Sequence, residues 1–244
     1  MVMSATVTMQ DTAGEWAYRQ IRHDIVFGKL LPGSRMRLER LREVYNASVS
    51  TLREILNRLS SERLVIAEEQ RGFSVAPVSQ RHFREVAQMR ELLEGHALKE
   101  SFQNGDVEWE GRVLAAHHKL ARMEVRMASG DRSGTEEWKR YDSEFHAALI
   151  SASGSRELMS AHRQIFDHYL RYQMIAVIYR GDEAATEHRQ LLTFAMDRDH
   201  AGAAAVLGRH INACVEHTVR NGLVGDGDAR PALPAASSDI NTVP

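Results

Sequence analysis

The stretch Ser48-Val-Ser-Thr-Leu-Arg-Glu-Ile-Leu-Asn-Arg-Leu-Ser60 is the part of the chain from which its fold is best predicted. Four apolar residues in it recur at i, i+3, i+4 and i+7, the spacing of one buried helix face: Leu52, Ile55, Leu56 and Leu59. Either Ser48 or Ser50 can cap the N-terminus of such a helix, and Ser50 fits the following residues better. The stretch therefore predicts an amphipathic helix.

The opposite face of this predicted helix carries short hydroxyls, an amide and guanidinium groups: Ser50, Thr51, Arg53, Asn57 and Arg58. Such groups suit hydrogen bonds to base edges and phosphates, so one interpretation is a recognition helix that reads DNA. The other interpretation is an ordinary surface helix, because an amphipathic helix with arginines outside is common in soluble proteins. The flanking sequence has to decide between the two.

The flanks predict two further helices before this stretch and a β-hairpin after it. Their predicted bounds are 15–27 and 37–45 for the helices and 64–68 and 73–76 for the strands, with the turn at 69–72. The first helix is expected to bury Trp16 together with Ile21 and Ile25. Three helices followed by a hairpin is the order of a winged helix-turn-helix domain, predicted here at residues 14–78.

The length, charge and cysteine content of the chain narrow the class of protein it can be. With 244 residues, 43% of them hydrophobic, the chain can bury a proper core in one or two domains. The net charge is -2, but residues 14–78 hold 11 Lys/Arg against 8 Asp/Glu, the sign expected of a DNA-facing part. The single Cys214 excludes an internal disulfide framework and favours a cytoplasmic protein. Neither a signal peptide nor a membrane span is predicted, so no membrane partner is expected.

From Ser79 onward the sequence predicts a second, all-helical domain at residues 79–222. Six helices are expected, at 81–102, 107–127, 136–151, 156–179, 182–198 and 201–219. Short turns join them, which favours an antiparallel six-helix bundle, so the predicted fold class is mainly α. Residues 1–13 and 223–244 lack a clear period and are predicted to be disordered tails.

Histidines in this second domain suggest a buried polar site. Asp142 and His146 are four residues apart, so in a helix they share one face. His188 and His210 are equally distant from Asp199 in a predicted turn, and an antiparallel hairpin would bring them to the same height. One carboxylate and three imidazoles suit Zn²⁺, Ni²⁺, Mn²⁺ or Fe²⁺ without choosing among them. The alternatives are an ion pair or satisfied core histidines, and His162 competes as a fourth ligand.

Four motifs in order make residues 14–78 similar to the DNA-binding domain of GntR-family regulators. They are Gly28-Lys-Leu-Leu-Pro-Gly33, Thr51-Leu-Arg-Glu-Ile-Leu56, Glu62-Arg-Leu-Val65 and Arg71-Gly-Phe-Ser-Val75. The resemblance implies that the helix bearing Arg53 enters the major groove of operator DNA and that Arg71 and Gly72 form the tip of the wing. Arg40 is a further candidate phosphate contact. Val49 departs from the family, since many members carry a base-reading arginine there, and this puts the operator sequence in doubt.

Residues 81–220 resemble the FCD ligand-binding domain of the FadR subfamily. The motifs are Asp142-Ser-Glu-Phe-His146, Gly154-Ser-Arg-Glu-Leu158, Glu187-His188 and His210. The resemblance implies that Asp142, His146, His188 and His210 bind a divalent metal, and that a small organic carboxylate completes the coordination. It also implies that Arg90 pairs with the carboxylate of this effector. The alternative for Arg90 is an ordinary ion pair within its helix.

Together these observations predict a ligand-responsive transcriptional regulator, by family habit a repressor, that binds a palindromic operator as a homodimer. A metal-dependent hydrolase or isomerase is the main alternative, with the Asp/His cluster catalytic. Against an enzyme, the chain has no HExxH motif, no nucleophile elbow and no phosphate-binding glycine loop. A helical bundle that dimerises but binds neither metal nor acid is the remaining alternative.

Overall fold

The structure is a computed structural model that describes residues 12–68, 72–176 and 179–225. Its N-terminal part, called the head below, has the elements α1 (Ala13–Val26), β1 (Arg35–Met36), α2 (Leu38–Tyr45), α3 (Val49–Ser61), β2 (Val65–Glu68) and β3 (Gly72–Val75). The three strands form an antiparallel sheet in the order β1-β3-β2. Three helices and a small sheet make the head a winged helix-turn-helix domain, as the sequence predicts.

Helix α3 forms where the hydrophobic period predicts it. Leu52, Ile55, Leu56 and Leu59 are all buried in the core of the head. The cap is Ser48, whose side chain accepts a hydrogen bond from the backbone N–H of Thr51 at 3.1 Å. The preference for Ser50 as the cap is therefore wrong, because α3 begins one residue before it, at Val49.

Two features of the head depart from the sequence prediction. Trp16 is 47% exposed, and the small residue Ala17 takes the buried position beside Ile21 and Ile25. Strand β1 was not predicted, since it is only two residues long and exists through pairing of Arg35 with Ser74 in β3. Contact with distant residues, rather than the local pattern, therefore decides the existence of β1.

The second domain is a bundle of six helices, which confirms the predicted fold class. They are α4 (Gln80–Asn104), α5 (Val107–Ala128), α6 (Thr135–Ile150), α7 (Arg156–Ile175), α8 (Asp182–Met196) and α9 (His200–Arg220). Helix α7 ends four residues earlier than predicted. The packed part of the chain reaches Gly225, because Val224 is buried in the bundle core and accepts a hydrogen bond from the Gln80 side chain at 2.9 Å.

The two domains meet along α7. Phe166 and Leu170 of this helix are buried in the core of the head, whereas Tyr169 and Tyr172 lie in the core of the bundle. Polar contacts accompany this packing. Arg22 of α1 forms ion pairs with Asp167 of α7 and with Glu62 at the end of α3. Helix α7 therefore belongs to both cores.

Candidate functional site

The exposed face of α3 is the candidate DNA-binding face. Ser50, Arg53 and Asn57 are exposed, and within the described part of the chain the side chains of Arg53 and Asn57 make no hydrogen bond or ion pair. Thr51 is half-buried, with its hydroxyl 2.8 Å from the Ser48 hydroxyl. A guanidinium and an amide on one exposed helix face are the groups that read base edges in the major groove.

Arg58 lies on the same helix but is differently placed. Its guanidinium donates a hydrogen bond to Glu15 at 2.8 Å and lies 3.6 Å from the centre of the Tyr18 ring. These contacts tie Arg58 to α1. Among the two arginines of the outer face, Arg53 is therefore the one presented to a nucleic acid.

The remaining predicted DNA contacts are distributed around α3. Arg40 is exposed on α2, the first helix of the helix-turn-helix. Gly72 begins β3 with φ at +85° in open space, a conformation that favours glycine. Arg71 lies outside the described residues.

The structure brings Asp142, His146, His188 and His210 together in the middle of the bundle. One ligand atom from each residue lies within 4.8 Å of those of the other three, and all four side chains are buried. Asp142 and His146 come from α6, His188 from α8 and His210 from α9. The hairpin formed by α8 and α9 sets the rings of His188 and His210 at 4.8 Å, centroid to centroid.

Each of the three histidines contacts a carboxylate through Nδ1. Glu94 lies 3.1 Å from Nδ1 of His146, Glu124 lies 2.6 Å from that of His188, and Glu187 lies 2.8 Å from that of His210. A carboxylate that accepts the Nδ1 proton leaves Nε2 with its lone pair, the arrangement typical of metal-binding histidines. Among the described residues, Nε2 of His146 and Oδ2 of Asp142 are buried without a hydrogen bond, and Nε2 of His188 lies 3.3 Å from Oδ1 of Asp142. These residues therefore fit a divalent cation.

The charges of Asp142, His146 and His210 agree with this donor set. Burial lowers the pKa of His146 and holds that of His210 well below its usual value, so both rings are neutral. Burial alone would raise the pKa of Asp142, but Lys139 and His188 outweigh it and hold it far below the usual value. Burial also opposes the charge of His188, yet Asp142 and Glu124 raise its pKa. An ionised carboxylate and neutral imidazoles are the forms that bind a metal, so a metal ion would have to compete with a proton at His188.

Arg90 is fully buried beside the cluster. Its Nε donates to Glu94 at 2.6 Å, so the ion pair within α4 is formed. Its two terminal nitrogens, Nη1 and Nη2, have no hydrogen-bond partner among the described residues. The guanidinium carbon is 4.5 Å from the ring centres of both Phe166 and Tyr169. Both terminal nitrogens of Arg90 therefore remain available to donate hydrogen bonds, because neither the ion pair nor the rings accept one from them.

His162, the competing fourth ligand, does not join the cluster. Its Nε2 lies 2.8 Å from Oε1 of Glu94, so it supports the same carboxylate that contacts His146. His168 is buried and donates from Nε2 to the backbone carbonyl of Glu62 at 2.9 Å. The sequence did not predict the contacts of the three histidines with Glu94, Glu124 and Glu187.

A small recess opens beside the cluster, lined by Asp142, His188, His210, Lys139, Gln173 and Arg180, with Trp138, Ala184 and Cys214 completing the wall. Its free volume is about 10 Å³, room for roughly one water molecule. An organic molecule therefore needs side chains of the recess to move before it can reach the cluster.

A winged helix-turn-helix joined to a helical bundle with a buried polar cluster defines a DNA-binding transcriptional regulator. The chain belongs to the GntR family: residues 14–75 match the model "Bacterial regulatory proteins, gntR family" and residues 85–213 match "FCD domain". It is therefore a regulator of transcription and not an enzyme. No helix among residues 12–68, 72–176 and 179–225 is long and apolar enough to span a membrane.

Relatives with assigned names agree with the family. The chain is 32% identical over 212 residues to the HTH-type transcriptional regulator BphR of Paraburkholderia xenovorans (strain LB400), with 86% of each chain covered. It is 29% identical to the HTH-type transcriptional repressor GlaR of Escherichia coli (strain K12), covering 80% of this chain and 90% of GlaR. The solved structure of E. coli McbR/YncC has the same fold, with a TM-score of 0.75 at 18% identity, over 87% of this chain and 100% of that one.

Proposed function

We propose that this protein is a cytoplasmic repressor that binds a palindromic operator as a homodimer and is controlled by a small organic carboxylate. The exposed face of α3 supports operator binding, because it presents Arg53 and Asn57 without other partners. A two-fold dimer would match two half-sites with two copies of this face. The resemblance to GlaR, which is named a repressor, supports the direction of control.

The sensor in this proposal is a divalent metal held by Asp142, His146, His188 and His210. The observation that carries the proposal is the set of three carboxylates on the Nδ1 atoms, which orients the three Nε2 atoms for a shared cation. Zn²⁺, Ni²⁺, Mn²⁺ and Fe²⁺ all accept such nitrogen and oxygen donors. A bound metal would act as a Lewis acid that attracts a carboxylate.

Arg90 supports the assignment of an acid as the effector. A buried guanidinium with two unsatisfied terminal nitrogens is costly unless a ligand supplies acceptors. The oxygen atoms of an organic acid can accept hydrogen bonds from those nitrogens. Burial opposes the charge of Arg90, but Glu94 and, to a smaller extent, Asp142 raise its pKa, so the guanidinium lies within electrostatic range of the cluster.

Helix α7 is the proposed route from the sensor to the DNA-binding face. Phe166 contacts the sensor and is buried in the head, and Asp167 reaches Glu62, the residue that ends α3, through Arg22. An acid that binds one arrangement of α7 better than another would bias the position of α3. It can shift this equilibrium only by its difference in affinity for the two arrangements.

Metal analysis of the purified full-length protein tests the sensor, followed by thermal unfolding with added metal and a panel of carboxylic acids. We expect about one divalent ion per chain, a higher Tm with metal, and a further rise with the effector acid. His188→Gln should abolish metal binding, whereas His118→Gln, which changes an exposed histidine of α5, should leave it intact. A chain that neither contains nor responds to any of the four metals would overturn the proposal.

A further inference from the structure

The burial of Lys139 is not expected from the sequence around it. It lies on α6 one turn before Asp142 and is only 4% exposed, which is rare for a lysine. Its ammonium lies 3.6 Å from Oδ2 of Asp142 and 4.0 Å from the centre of the Trp138 ring. Within the described residues, Asp142 is the carboxylate in ion-pair contact with it. Lys139 thus shares its counter-ion with the cluster.

A metal ion and Lys139 would compete for the same carboxylate. Oδ2 of Asp142, the oxygen nearest to Lys139, accepts no hydrogen bond from any described residue. A divalent ion bound by Asp142 would neutralise this carboxylate and repel the ammonium. Because a buried ammonium without a counter-charge is strongly disfavoured, metal binding creates a need for a new anion next to Lys139.

The surroundings of Lys139 suit such an anion. Lys139 lines the recess beside the cluster together with Gln173 and Trp138. The indole nitrogen of Trp138 is buried and makes no hydrogen bond in the described structure, so its N–H is available to donate to an anion. Arg90 and Arg180 are already paired with Glu94 and Glu187. The positive charge of a divalent ion and the Lys139 ammonium then exceeds the negative charge of the Asp142 and Glu124 carboxylates by one. A single carboxylate from the acid would therefore restore neutrality.

We infer that Lys139 is an effector-binding residue: one carboxylate oxygen of the acid binds the metal and the other accepts a hydrogen bond from the Lys139 ammonium. This inference rests on the proposed metal site and names its ligand class as a monoanionic carboxylic acid. Binding of the metal and binding of the acid then favour each other, because the acid offsets the repulsion between the metal and the Lys139 ammonium. By linkage, each raises the affinity of the other by the same factor.

Lys139→Met tests the inference, since methionine has a similar shape without the charge. The affinity for Zn²⁺ is measured on the full-length chain by competition with a chromophoric chelator, without acid, with propionate, and with propionamide as the uncharged control. We expect the variant to bind Zn²⁺ at least about fivefold more tightly than the wild type when no acid is present, and propionate to tighten Zn²⁺ binding more in the wild type than in the variant. Propionamide should have no effect on either protein.

Lys119→Met is the matched control, because it removes an exposed lysine of α5 that pairs with Glu144 at 3.0 Å. It should behave as the wild type. Lys139→Gln, which keeps a polar side chain, repeats the test if the methionine variant does not fold. Weaker or unchanged Zn²⁺ binding in the Lys139 variants, or an unchanged response to propionate, would overturn the role of Lys139 while the metal site stands. Absence of metal binding to the wild type would instead overturn the proposed function itself.

Discussion

The ring of Phe166 lies 5.8 Å from the ring of His146, centroid to centroid, while Phe166 is buried in the core of the head. The same ring is 5.5 Å from that of His162 and 4.5 Å from the guanidinium carbon of Arg90. One side chain thus contacts a proposed metal ligand, the proposed effector arginine and the domain that carries α3. Packed interiors resist gradual deformation, so movement at the cluster is transmitted through such a contact.

The first prediction concerns this contact. Phe166→Leu keeps an apolar side chain in the head but removes the ring contacts with His146 and Arg90. We expect operator affinity without effector to change little, because α3 is untouched. The change in operator affinity caused by metal and acid should shrink at least about fivefold, the scale of a typical coupling between sites. Fluorescence anisotropy with labelled operator DNA measures both quantities.

Leu170→Val is the control for Phe166→Leu. Leu170 lies one turn further along α7 and is buried in the same core. Its truncation costs stability of the head, on the order of 1 kcal/mol, without touching the cluster. The full response to metal and acid should persist in this variant. If Phe166→Leu also retained the full response, α7 would not be the route.

The second prediction concerns the carboxylate on His188. Glu124→Gln replaces the acceptor at 2.6 Å from Nδ1 with a group of the same shape and no charge. We expect metal affinity to fall by about 10- to 100-fold, because such partners fix the tautomer and basicity of a ligand histidine. Glu108→Gln, an exposed change on the same helix, should leave metal affinity as it is. Isothermal titration with Zn²⁺ compares the three proteins, and equal affinities would exclude a supporting role for Glu124.

The third prediction separates the two arginines on the outer face of α3. Arg53→Ala should weaken operator binding by about 1–3 kcal/mol and reduce its dependence on salt, because an exposed guanidinium that contacts DNA is lost. Arg58→Ala should affect operator binding less and stability more, since it removes the contacts with Glu15 and Tyr18. Anisotropy at several salt concentrations and chemical unfolding measure the two effects. Equal losses of operator affinity would contradict the assignment.

The sequence predicted the helices well and their ends less well. The period of Leu52, Ile55 and Leu56 is a local pattern, so α3 could be predicted from it. Ser48 and Ser50 both fit the local pattern of a cap, so the sequence alone did not choose between them. Strand β1 depends on pairing with residues far along the chain, which no local pattern contains.

The same distinction applies to the buried cluster. His188 and His210 could be paired in advance, because the geometry of a helical hairpin relates their positions to the turn near Asp199. Glu124 and Glu94 could not be assigned, since they lie 64 and 52 residues from the histidines that they contact. Lys139 looks like an ordinary helical lysine in the sequence, and its importance follows only from its burial against Asp142.

The fourth prediction concerns pH and the contact between the domains. Burial, assisted by the charge of His82, lowers the pKa of His168 from 6.5 to about 4. As the pH falls from about 6.5 to about 4, the unfolded chain therefore binds a proton that the folded chain does not, and stability is lost. Between about pH 7 and about pH 5 this loss amounts to about 2 kcal/mol from His168 alone.

Replacing His168 should remove this part of the pH dependence. Glutamine retains an N–H donor for the backbone carbonyl of Glu62 but does not titrate, so His168→Gln should lose less stability than the wild type on acidification. Urea unfolding at the two pH values gives the comparison, and His118→Gln, at an exposed position, should keep the slope of the wild type. If His168→Gln had that slope as well, His168 would not be the buried neutral histidine that joins α7 to the end of α3.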